Sequence, residues 1–340
     1  MREPGFWHRP PSVLSRLLLP LAALYGNIAA ARMHQPGAAV SVPVLCVGNY
    51  HMGGAGKTPT TLALVALLRA LGERPVVLSR GYGGRLRGPV VVDPSRHAAA
   101  DVGDEPLMMA GSVPVVVARE RSDGAVVAAS QGASVILMDD GFQNSALIKD
   151  AALIVIDSHR GVGNGSVFPA GPLRAPLALQ IARTDALVVV GDGSAADGIA
   201  AQIAAQGGTV LRARLVPQAA SVEALRGRRV LAFAGIGDPA RFVATLRASG
   251  VEVVEQRAFA DHHPFTAEEL AELAAAARRG GLTLVTTEKD LARIGRAAAS
   301  LGVEIVTLAV TLAFDDEAAL RLFLLDRLNR ARAERLAARR

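Results

Sequence analysis

One short stretch limits the possible folds of this chain more than any other. Residues 48–58 read Gly-Asn-Tyr-His-Met-Gly-Gly-Ala-Gly-Lys-Thr, between an apolar run at 42–47 and a helical pattern at 60–71. A strand, a glycine-rich turn and a helix in that order are typical of a phosphate-binding loop. In such a loop, backbone N–H groups and the positive end of the helix surround phosphate oxygens. We therefore expect the chain to bind a nucleoside triphosphate.

Individual residues of this loop have separate predicted roles. Lys57 is placed to reach the outer phosphates, and the Thr58 hydroxyl is a ligand for magnesium. His51 stands where the strict pattern has glycine, five residues before Gly56. The alternative is a glycine-rich loop without a nucleotide, and the order of its residues after a strand argues against it. The predicted ATP-binding residues are Gly53, Gly54, Ala55, Gly56, Lys57, Thr58 and Pro59.

Apolar runs typical of buried strands alternate with helical patterns along the first part of the chain. With 340 residues, of which 51% are hydrophobic, the chain is long enough for two domains. Because the runs are continuous, we expect a parallel sheet covered on both faces in a doubly wound α/β fold. The predicted strands are 42–47, 76–78, 90–92, 115–118, 135–138, 153–156 and 186–190.

A second series of elements predicts a smaller α/β domain. Its predicted strands are 229–235, 251–259, 282–287 and 304–310, and its predicted helices are 239–249 and 267–279. The predicted organisation is an N-terminal apolar region (1–35), a P-loop domain (36–217), the smaller domain (218–315) and a C-terminal helix (316–340). Residues 207–218 are the candidate connector. A cleft between the domains is the natural place for two substrates.

The N-terminal segment is strongly apolar over residues 17–25, interrupted only by Pro20. It is too short to cross a bilayer, which takes roughly 20 apolar residues. Its flanks imitate a signal peptide, but export would separate the nucleotide site from ATP. Two interpretations remain open: a helix in the membrane interface, with Arg16 and Arg32 toward the headgroups, or an ordinary packed helix.

The charge of the chain limits its possible binding partners, and its cysteine content indicates the redox state of its compartment. The net charge is +6, and arginines are concentrated at both ends of the chain. Such a surface suits anionic lipid, phosphorylated substrates or nucleic acid, but no aromatic platform accompanies the arginines. We therefore expect no nucleic-acid partner. The single cysteine, Cys46, lies in an apolar run, which predicts a buried thiol in a reducing compartment.

Acidic residues at two places are candidates for metal binding and proton transfer. Asp139 and Asp140 end the apolar run at 135–138, where magnesium is held in phosphoryl-transfer sites. A surface turn is the alternative for this pair. Asp104 and Glu105 precede a helical pattern, which favours a helix cap over a catalytic base when taken alone.

Two further segments supply a histidine and an arginine. His262 lies in an Asp-His-His turn after a strand, where it would orient or assist a carboxylate base. The alternative is a turn capped by Asp261. Adjacent histidines in a chain with one cysteine do not favour a zinc site. Arg80 ends a predicted strand, where it would stabilise a transferring phosphate or grip an acceptor phosphate.

A set of short motifs resembles the tetraacyldisaccharide 4'-kinase family of bacterial lipid A biosynthesis. Each motif is weak alone, but they follow the family's order from about residue 42 to 290 and are highly specific together. The apolar N-terminal stretch also matches the family's membrane-contacting helix. The motifs are Gly48-Asn49, Gly53-Gly54-Ala55-Gly56-Lys57-Thr58-Pro59, Ser79-Arg80-Gly81-Tyr82, Gly103-Asp104-Glu105-Pro106, Asp139-Asp140-Gly141-Phe142-Gln143, Pro169-Ala170-Gly171-Pro172-Leu173-Arg174, Asp261-His262-His263 and Thr286-Thr287-Glu288-Lys289-Asp290.

The resemblance implies a kinase that phosphorylates the 4'-hydroxyl of a tetraacylated glucosamine disaccharide 1-phosphate. ATP and Mg²⁺ are the implied cofactors, and the product is the bisphosphorylated lipid A precursor, lipid IVA. The implied partner is a membrane lipid at the cytoplasmic face of the bacterial inner membrane, bound by a peripheral or monotopic protein. We expect a monomer.

The resemblance also implies roles for the candidate residues. Asp104 matches the catalytic base, and His262 matches its partner across the cleft. Arg80 matches an arginine near the transferred phosphate, and Glu105 is expected close to the same centre. Carried over in the same way, Lys57 and Thr58 match the phosphate and magnesium residues, and Asp139 and Asp140 match the acidic pair on the metal side.

The chain departs from the family pattern at two places, and one other class of protein has a similar loop. His51 and Met52 replace smaller or simpler loop residues, and Ala175 follows Arg174 where the family commonly has glutamate. The competing class is a membrane-associated nucleotide-switch ATPase. Such proteins usually carry a signature lysine at the position of Met52, and its absence argues against them.

Overall fold

The computed structural model describes residues 4–338, and two β-sheets organise that part of the chain. In chain order the strands are β1 (Val44–Gly48), β2 (Pro75–Ser79), β3 (Val90–Val91), β4 (Val115–Val117), β5 (Val135–Asp139), β6 (Ala151–Asp157), β7 (Ala186–Val190), β8 (Thr209–Pro217), β9 (Arg229–Ala234), β10 (Glu252–Ala258), β11 (Thr283–Thr286), β12 (Ile305–Thr307) and β13 (Val310–Phe314).

Helices connect these strands and cover the faces of both sheets. Short 3₁₀ helices lie at Gly5–His8 and Gly295–Leu301. The α-helices are α1 (Val13–Leu17), α2 (Leu19–Met33), α3 (Lys57–Ala70), α4 (Ala99–Val102), α5 (Asp104–Ala110), α6 (Arg121–Ser130), α7 (Leu177–Ala182), α8 (Asp197–Ala205), α9 (Ala219–Leu225), α10 (Pro239–Ala248), α11 (Ala267–Gly280), α12 (Glu288–Ile294) and α13 (Glu317–Ala337).

The large sheet has the strand order β13-β8-β7-β6-β1-β5-β2-β4-β3. Its pairs are parallel except at the two edges, where β3 and β13 run antiparallel to β4 and β8. β1 is central, and its residues alternate between two cores: Leu45 packs on the side of α3, and Cys46 packs on the opposite side. This arrangement confirms the predicted doubly wound, mostly parallel fold and the burial of Cys46.

The small sheet is parallel, with the strand order β10-β9-β11-β12. Val243 and Leu246 of α10 pack on one of its faces, while Leu270 and Leu273 of α11 pack on the other. The predicted second α/β unit is therefore present. How the chain divides into domains stays a prediction.

The predicted connector at 207–218 is wrong, because most of it forms β8 in the large sheet. Leu211 and Ala213 are buried in this strand, whereas Arg212 and Arg214, which alternate with them, are exposed. A search for continuous apolar runs misses a strand in which buried and exposed residues alternate. The single strand predicted at 304–310 is likewise two strands. β12 belongs to the small sheet, and β13 returns to pair with β8.

The apolar segment at 17–25 covers the end of α1 and the first half of α2. Ala22 and Gly26 of α2 are buried, and Gly26 faces the side chains of Val167 and Pro176. The opposite side carries exposed apolar residues, among them Leu21, Leu24 and Ile28. Among residues 4–338, none of the helices has the combination of length and apolar character required to cross a membrane.

Candidate active site

The glycine-rich loop joins the end of β1 to the start of α3 at the carboxyl edge of the large sheet. Gly56 is the N-cap of α3 with a φ of 90°, a backbone conformation that glycine adopts without strain. Inside the loop, Asn49 Nδ2 donates a hydrogen bond of 3.1 Å to the carbonyl of Gly53. The loop therefore has the strand–turn–helix setting that phosphate binding requires.

Residues 169–174 hold this loop in place through hydrogen bonds. The Arg174 Nε donates to the carbonyl of His51 at 3.1 Å, and the Met52 N–H donates to the carbonyl of Pro172 at 2.9 Å. His51 is buried and pairs with Leu173 as an isolated bridge. Thus the residue that departs from the strict glycine pattern is part of the contact that fixes the loop.

Asp139 is the last residue of β5 and is buried beside the loop. The Thr61 hydroxyl donates to its Oδ1 at 3.2 Å. Burial and the neighbouring carboxylates of Glu105 and Asp140 raise the pKa of Asp139. A buried carboxylate in an acidic neighbourhood suits a hard cation such as Mg²⁺. Thr58, the other predicted magnesium ligand, lies in the first turn of α3.

Asp140 is engaged by two cations. Arg174 Nη1 donates to its Oδ1 at 2.8 Å, and Lys57 Nζ lies 3.6 Å from the same oxygen. Burial alone would raise the pKa of Asp140, but Lys57 and Arg174 lower it to about 2. Lys57, Asp139 and Asp140, predicted as site residues, therefore lie together around the loop. The metal-binding role of the two carboxylates stays a prediction.

Asp104 is the first residue of α5 and lies where the large sheet meets the small one. Its N-cap, Gly103, has a φ of 93°, and an added Cβ would lie 2.5 Å from the carbonyl oxygen of Tyr82. The Oδ2 of Asp104 accepts from His262 Nδ1 at 3.0 Å and from Arg293 Nη2 at 2.5 Å. Its Oδ1 accepts from the Glu105 N–H at 2.9 Å.

These contacts determine the charge of Asp104. Burial alone would raise the pKa of this carboxyl group, but His262, Lys289 and Arg293 outweigh burial and hold the pKa far below its usual value. Asp104 is therefore ionised, and an ionised carboxylate only accepts hydrogen bonds.

His262 completes a pair with Asp104 from the small-sheet side. Its φ of 58° is unusual for a non-glycine residue, and its N–H donates to the carbonyl of Gly235 at 3.0 Å. The Lys289 Nζ lies 3.3 Å from Nε2 and can only donate. We infer that Nδ1 carries the proton, which it donates to Asp104, and that Nε2 carries the lone pair.

The adjacent His263 is turned away from this pair. Its Nε2 contacts the Glu269 carboxylate at 2.8 Å, and its ring stacks on Phe259. The two histidines thus point in different directions and do not share a site.

Glu105 lies next to the pair, where Lys289 Nζ donates to its Oε1 at 2.9 Å. Asp104, Glu105 and His262 were all predicted from the sequence, and the fold brings them together. Glu105 is also close enough to Asp139 to raise the pKa of that carboxyl group. The cross-sheet cluster and the phosphate loop therefore belong to one site.

Arg80 follows β2 and its side chain is exposed at this edge. The sequence missed Arg121, which is buried nearby and donates from Nη1 to the carbonyl of Ala118 at 2.5 Å. It also missed Arg293 and gave Lys289 no role. The spacing of the two residues could have indicated that they act together. Lys289 and Arg293 are four residues apart after the helix cap Thr287, so they share one face of α12.

The fold and the site define a P-loop phosphotransferase, with a phosphate-binding loop and a histidine–carboxylate pair at one sheet edge. A sequence model described as "Tetraacyldisaccharide-1-P 4'-kinase" matches residues 14–329. The chain belongs to this family of kinases.

Individual relatives agree with this assignment. Proteins named "Tetraacyldisaccharide 4'-kinase" are 83% identical in Rhodopseudomonas palustris, over 100% of both chains, and 66% identical in Nitrobacter hamburgensis, over 98% of this chain and 100% of that one. A crystal structure of LpxK from Aquifex aeolicus in complex with ATP is 27% identical, with a TM-score of 0.70. It covers 93% of this chain and 100% of that chain.

Proposed function

We propose that this protein transfers the γ-phosphoryl group of ATP to the 4'-hydroxyl of tetraacyldisaccharide 1-phosphate, giving lipid IVA. The observation that carries the proposal is the His262–Asp104 pair, assembled from two sheets beside a phosphate-binding loop. A phosphate-binding loop is common to hydrolases, switches and kinases. A proton-accepting pair beside the loop suits transfer to an alcohol. Relatives named for this activity support the same choice.

ATP would bind with its phosphates in the loop at residues 53–59. Lys57 Nζ lies 3.6 Å from the Asp140 Oδ1, and it would bind the outer phosphates of ATP. Thr58 and Asp139 would hold Mg²⁺, with Asp140 beside them. When bound, Mg²⁺ neutralises charge on the transferring phosphoryl group. Exposed Arg80 would supply a further positive charge to the same oxygens.

The contacts favour His262 as the proton acceptor and Asp104 as the residue that orients it. The sequence predicted the reverse, with Asp104 as the base. However, Asp104 is buried, accepts from three donors and has a strongly lowered pKa, which makes it a weak base. The side chain of His262 is 36% exposed, and its Nε2 accepts from Lys289 Nζ at 3.3 Å, a contact that the acceptor hydroxyl would replace.

The proposed step moves one proton and one phosphoryl group. The 4'-hydroxyl gives its proton to His262 Nε2, and its oxygen forms a bond to the γ-phosphorus. The bond from that phosphorus to the bridging oxygen breaks, and ADP leaves with the electron pair. The imidazolium that forms is stabilised by the Asp104 carboxylate on Nδ1.

A lipid acceptor requires that the protein reach a membrane surface. The exposed face of α1 and α2 would provide this contact, with Leu17 72% exposed, Leu21 57% and Leu24 60%. Arg16 and Arg32 are exposed at either side of this face and suit anionic headgroups. We propose that the protein acts as a peripheral or monotopic monomer at the cytoplasmic face of the inner membrane, without a nucleic-acid partner.

The function is tested by incubating the purified protein with Mg²⁺, γ-labelled ATP and the lipid acceptor in detergent micelles. The expected product is a bisphosphorylated disaccharide with the new phosphate on the 4'-oxygen. Lys57→Met is the matched control, because it removes one loop cation and should lower kcat by roughly two orders of magnitude. Hydrolysis of ATP without labelled lipid would refute the proposal.

A further inference from the structure

Arg293 is the buried centre of the cross-sheet cluster, with only 9% of its side chain exposed. It lies on α12 and donates from Nη2 to the Asp104 Oδ2 at 2.5 Å. Its Nη1 donates to the Asp290 Oδ1 at 2.7 Å. One guanidinium thus joins a carboxylate of its own helix to a carboxylate on the large-sheet side of the junction.

The same guanidinium also holds the turn that carries His262. The Arg293 Nη1 lies within hydrogen-bond distance of the carbonyl of Gly235, at 3.2 Å, and of the carbonyl of His263, at 3.4 Å. Gly235 in turn accepts from the His262 N–H. Arg293 therefore contacts both sides of the His262–Asp104 pair: the backbone that presents the imidazole and the carboxylate that orients it.

We propose that Arg293 is a positioning residue for phosphoryl transfer, which aligns His262 with Asp104 across the junction of the two sheets. The inference rests on the proposed function, because the alignment matters for a reaction in which His262 takes the hydroxyl proton. An arginine that only stabilised α12 would need Asp290 alone. Arg293 is instead shared between Asp290, Asp104 and the His262 turn.

The planar fork of arginine is suited to this task. It presents donors in fixed directions to several acceptors at once, whereas lysine is a single point charge. His262 needs such support because its backbone has a positive φ of 58°. If the guanidinium is removed, the imidazole of His262 and the carboxylate of Asp104 lose the contact that holds them in one relative position. A misplacement of about 1 Å can lower a rate by roughly 100-fold.

The test compares Arg293→Met with Arg296→Met in the full-length protein. Arg296 is the matched control, because it also reaches from the small-sheet side to the first part of the chain, donating to the carbonyl of Ser95 at 2.7 Å. We expect Arg293→Met to lower kcat at least about tenfold with little change in the KM for ATP. Arg296→Met should stay within about twofold of the unmodified protein. Arg293→Lys should recover part of the loss.

A second readout does not depend on catalysis. The ¹⁵N signals of the imidazole report which nitrogen of His262 carries the proton. Arg293→Met should change these signals, and Arg296→Met should not. If Arg293→Met does not fold, the same comparison is made with Arg293→Lys. Unchanged His262 signals, or a kcat of Arg293→Met within about twofold of the unmodified protein, would overturn the inference. If the unmodified protein fails to phosphorylate the lipid, the proposed function fails while the imidazole signals still test the alignment.

Discussion

At the scale of single residues, Asp139 and Asp140 differ sharply although they are adjacent. Asp140 is held ionised by Lys57 and Arg174, whereas Asp139 is buried near other carboxylates. Burial disfavours the charged form, so the pKa of Asp139 is raised and that of Asp140 is lowered to about 2. If Asp139 binds Mg²⁺ as proposed, it is thus the carboxylate at which a proton would compete with the metal near neutral pH.

This difference predicts how Mg²⁺ dependence changes with pH. Because the pKa of Asp139 is raised, lowering the pH protonates its carboxylate and weakens metal binding. The free Mg²⁺ needed for half-maximal activity should therefore rise as the pH falls from about 8 to about 6. Asp139→Asn is the control, because ATP titrates in the same way with this variant and with the unmodified protein. If the Mg²⁺ requirement of both proteins rises equally as the pH falls, Asp139 is not the carboxylate that titrates.

At the scale of elements, α2 has two faces with different environments. Ala22 and Gly26 pack against the protein, whereas Leu21 and Leu24 are exposed and lie three residues apart on the opposite side. Burying one leucine side chain in an apolar environment is worth about 2 kcal/mol. Insertion of this exposed face into a membrane interface would therefore be favourable.

The double variant Leu21→Glu and Leu24→Glu should lower sedimentation with anionic vesicles at least about tenfold. Leu322→Glu on α13 is the control, because Leu322 is also an exposed leucine, at 68%, but lies far along the chain. Phosphorylation of the lipid in vesicles should fall with binding. Unchanged sedimentation of the double variant would show that α2 is an ordinary packed helix.

The elements that the sequence predicted well are those dominated by one strong pattern. β1, β5, β6 and β7 are continuous apolar runs, and α3 follows a glycine-rich loop. β8 was missed because its arginines alternate with buried residues. The helical pattern after Asp104 was placed too late: α5 begins at Asp104, since Pro106 is tolerated in the first turn of a helix.

The site could be predicted only in part for a different reason. Lys57, Thr58 and Asp139 lie on a local strand–loop–helix unit or at the end of the neighbouring strand, so local sequence indicates their roles. Arg293 and Asp104 are 189 residues apart along the chain, and their contact depends on how two sheets meet. Without the motif resemblance, no local pattern would have joined Asp104 to His262.

At the scale of the whole molecule, ion pairs join the two sheets. Asp104 pairs with Arg293 at one place, and Asp157 at the end of β6 pairs with Arg241 of α10 at 2.9 Å at another. Both carboxylates have a lowered pKa despite their burial. A carboxyl group with a lowered folded-state pKa stabilises the fold above its unfolded pKa, and this contribution is lost as pH falls through the folded value.

Asp104→Asn should therefore lower the free energy of unfolding by about 3 kcal/mol near neutral pH, because it leaves a buried cation less well paired. The difference from the unmodified protein should persist from about pH 8 down to about pH 5. It should shrink below about pH 4, where unfolded aspartate is protonated. Urea unfolding at several pH values measures this difference in the free energy of unfolding. A difference that becomes larger as the pH falls would contradict the assigned charge of Asp104.

In the proposed reaction, His262 takes the proton of the acceptor hydroxyl, and Asp104 orients the imidazole of His262. The most direct measurement is the rate of lipid phosphorylation by His262→Ala and Asp104→Ala with added imidazole. We expect imidazole to restore part of the activity of His262→Ala, because it can enter the space of the missing ring and accept the proton. It should not restore Asp104→Ala to the same extent. No rescue of His262→Ala, combined with a larger loss of kcat in Asp104→Ala, would contradict the claim and favour Asp104 as the base.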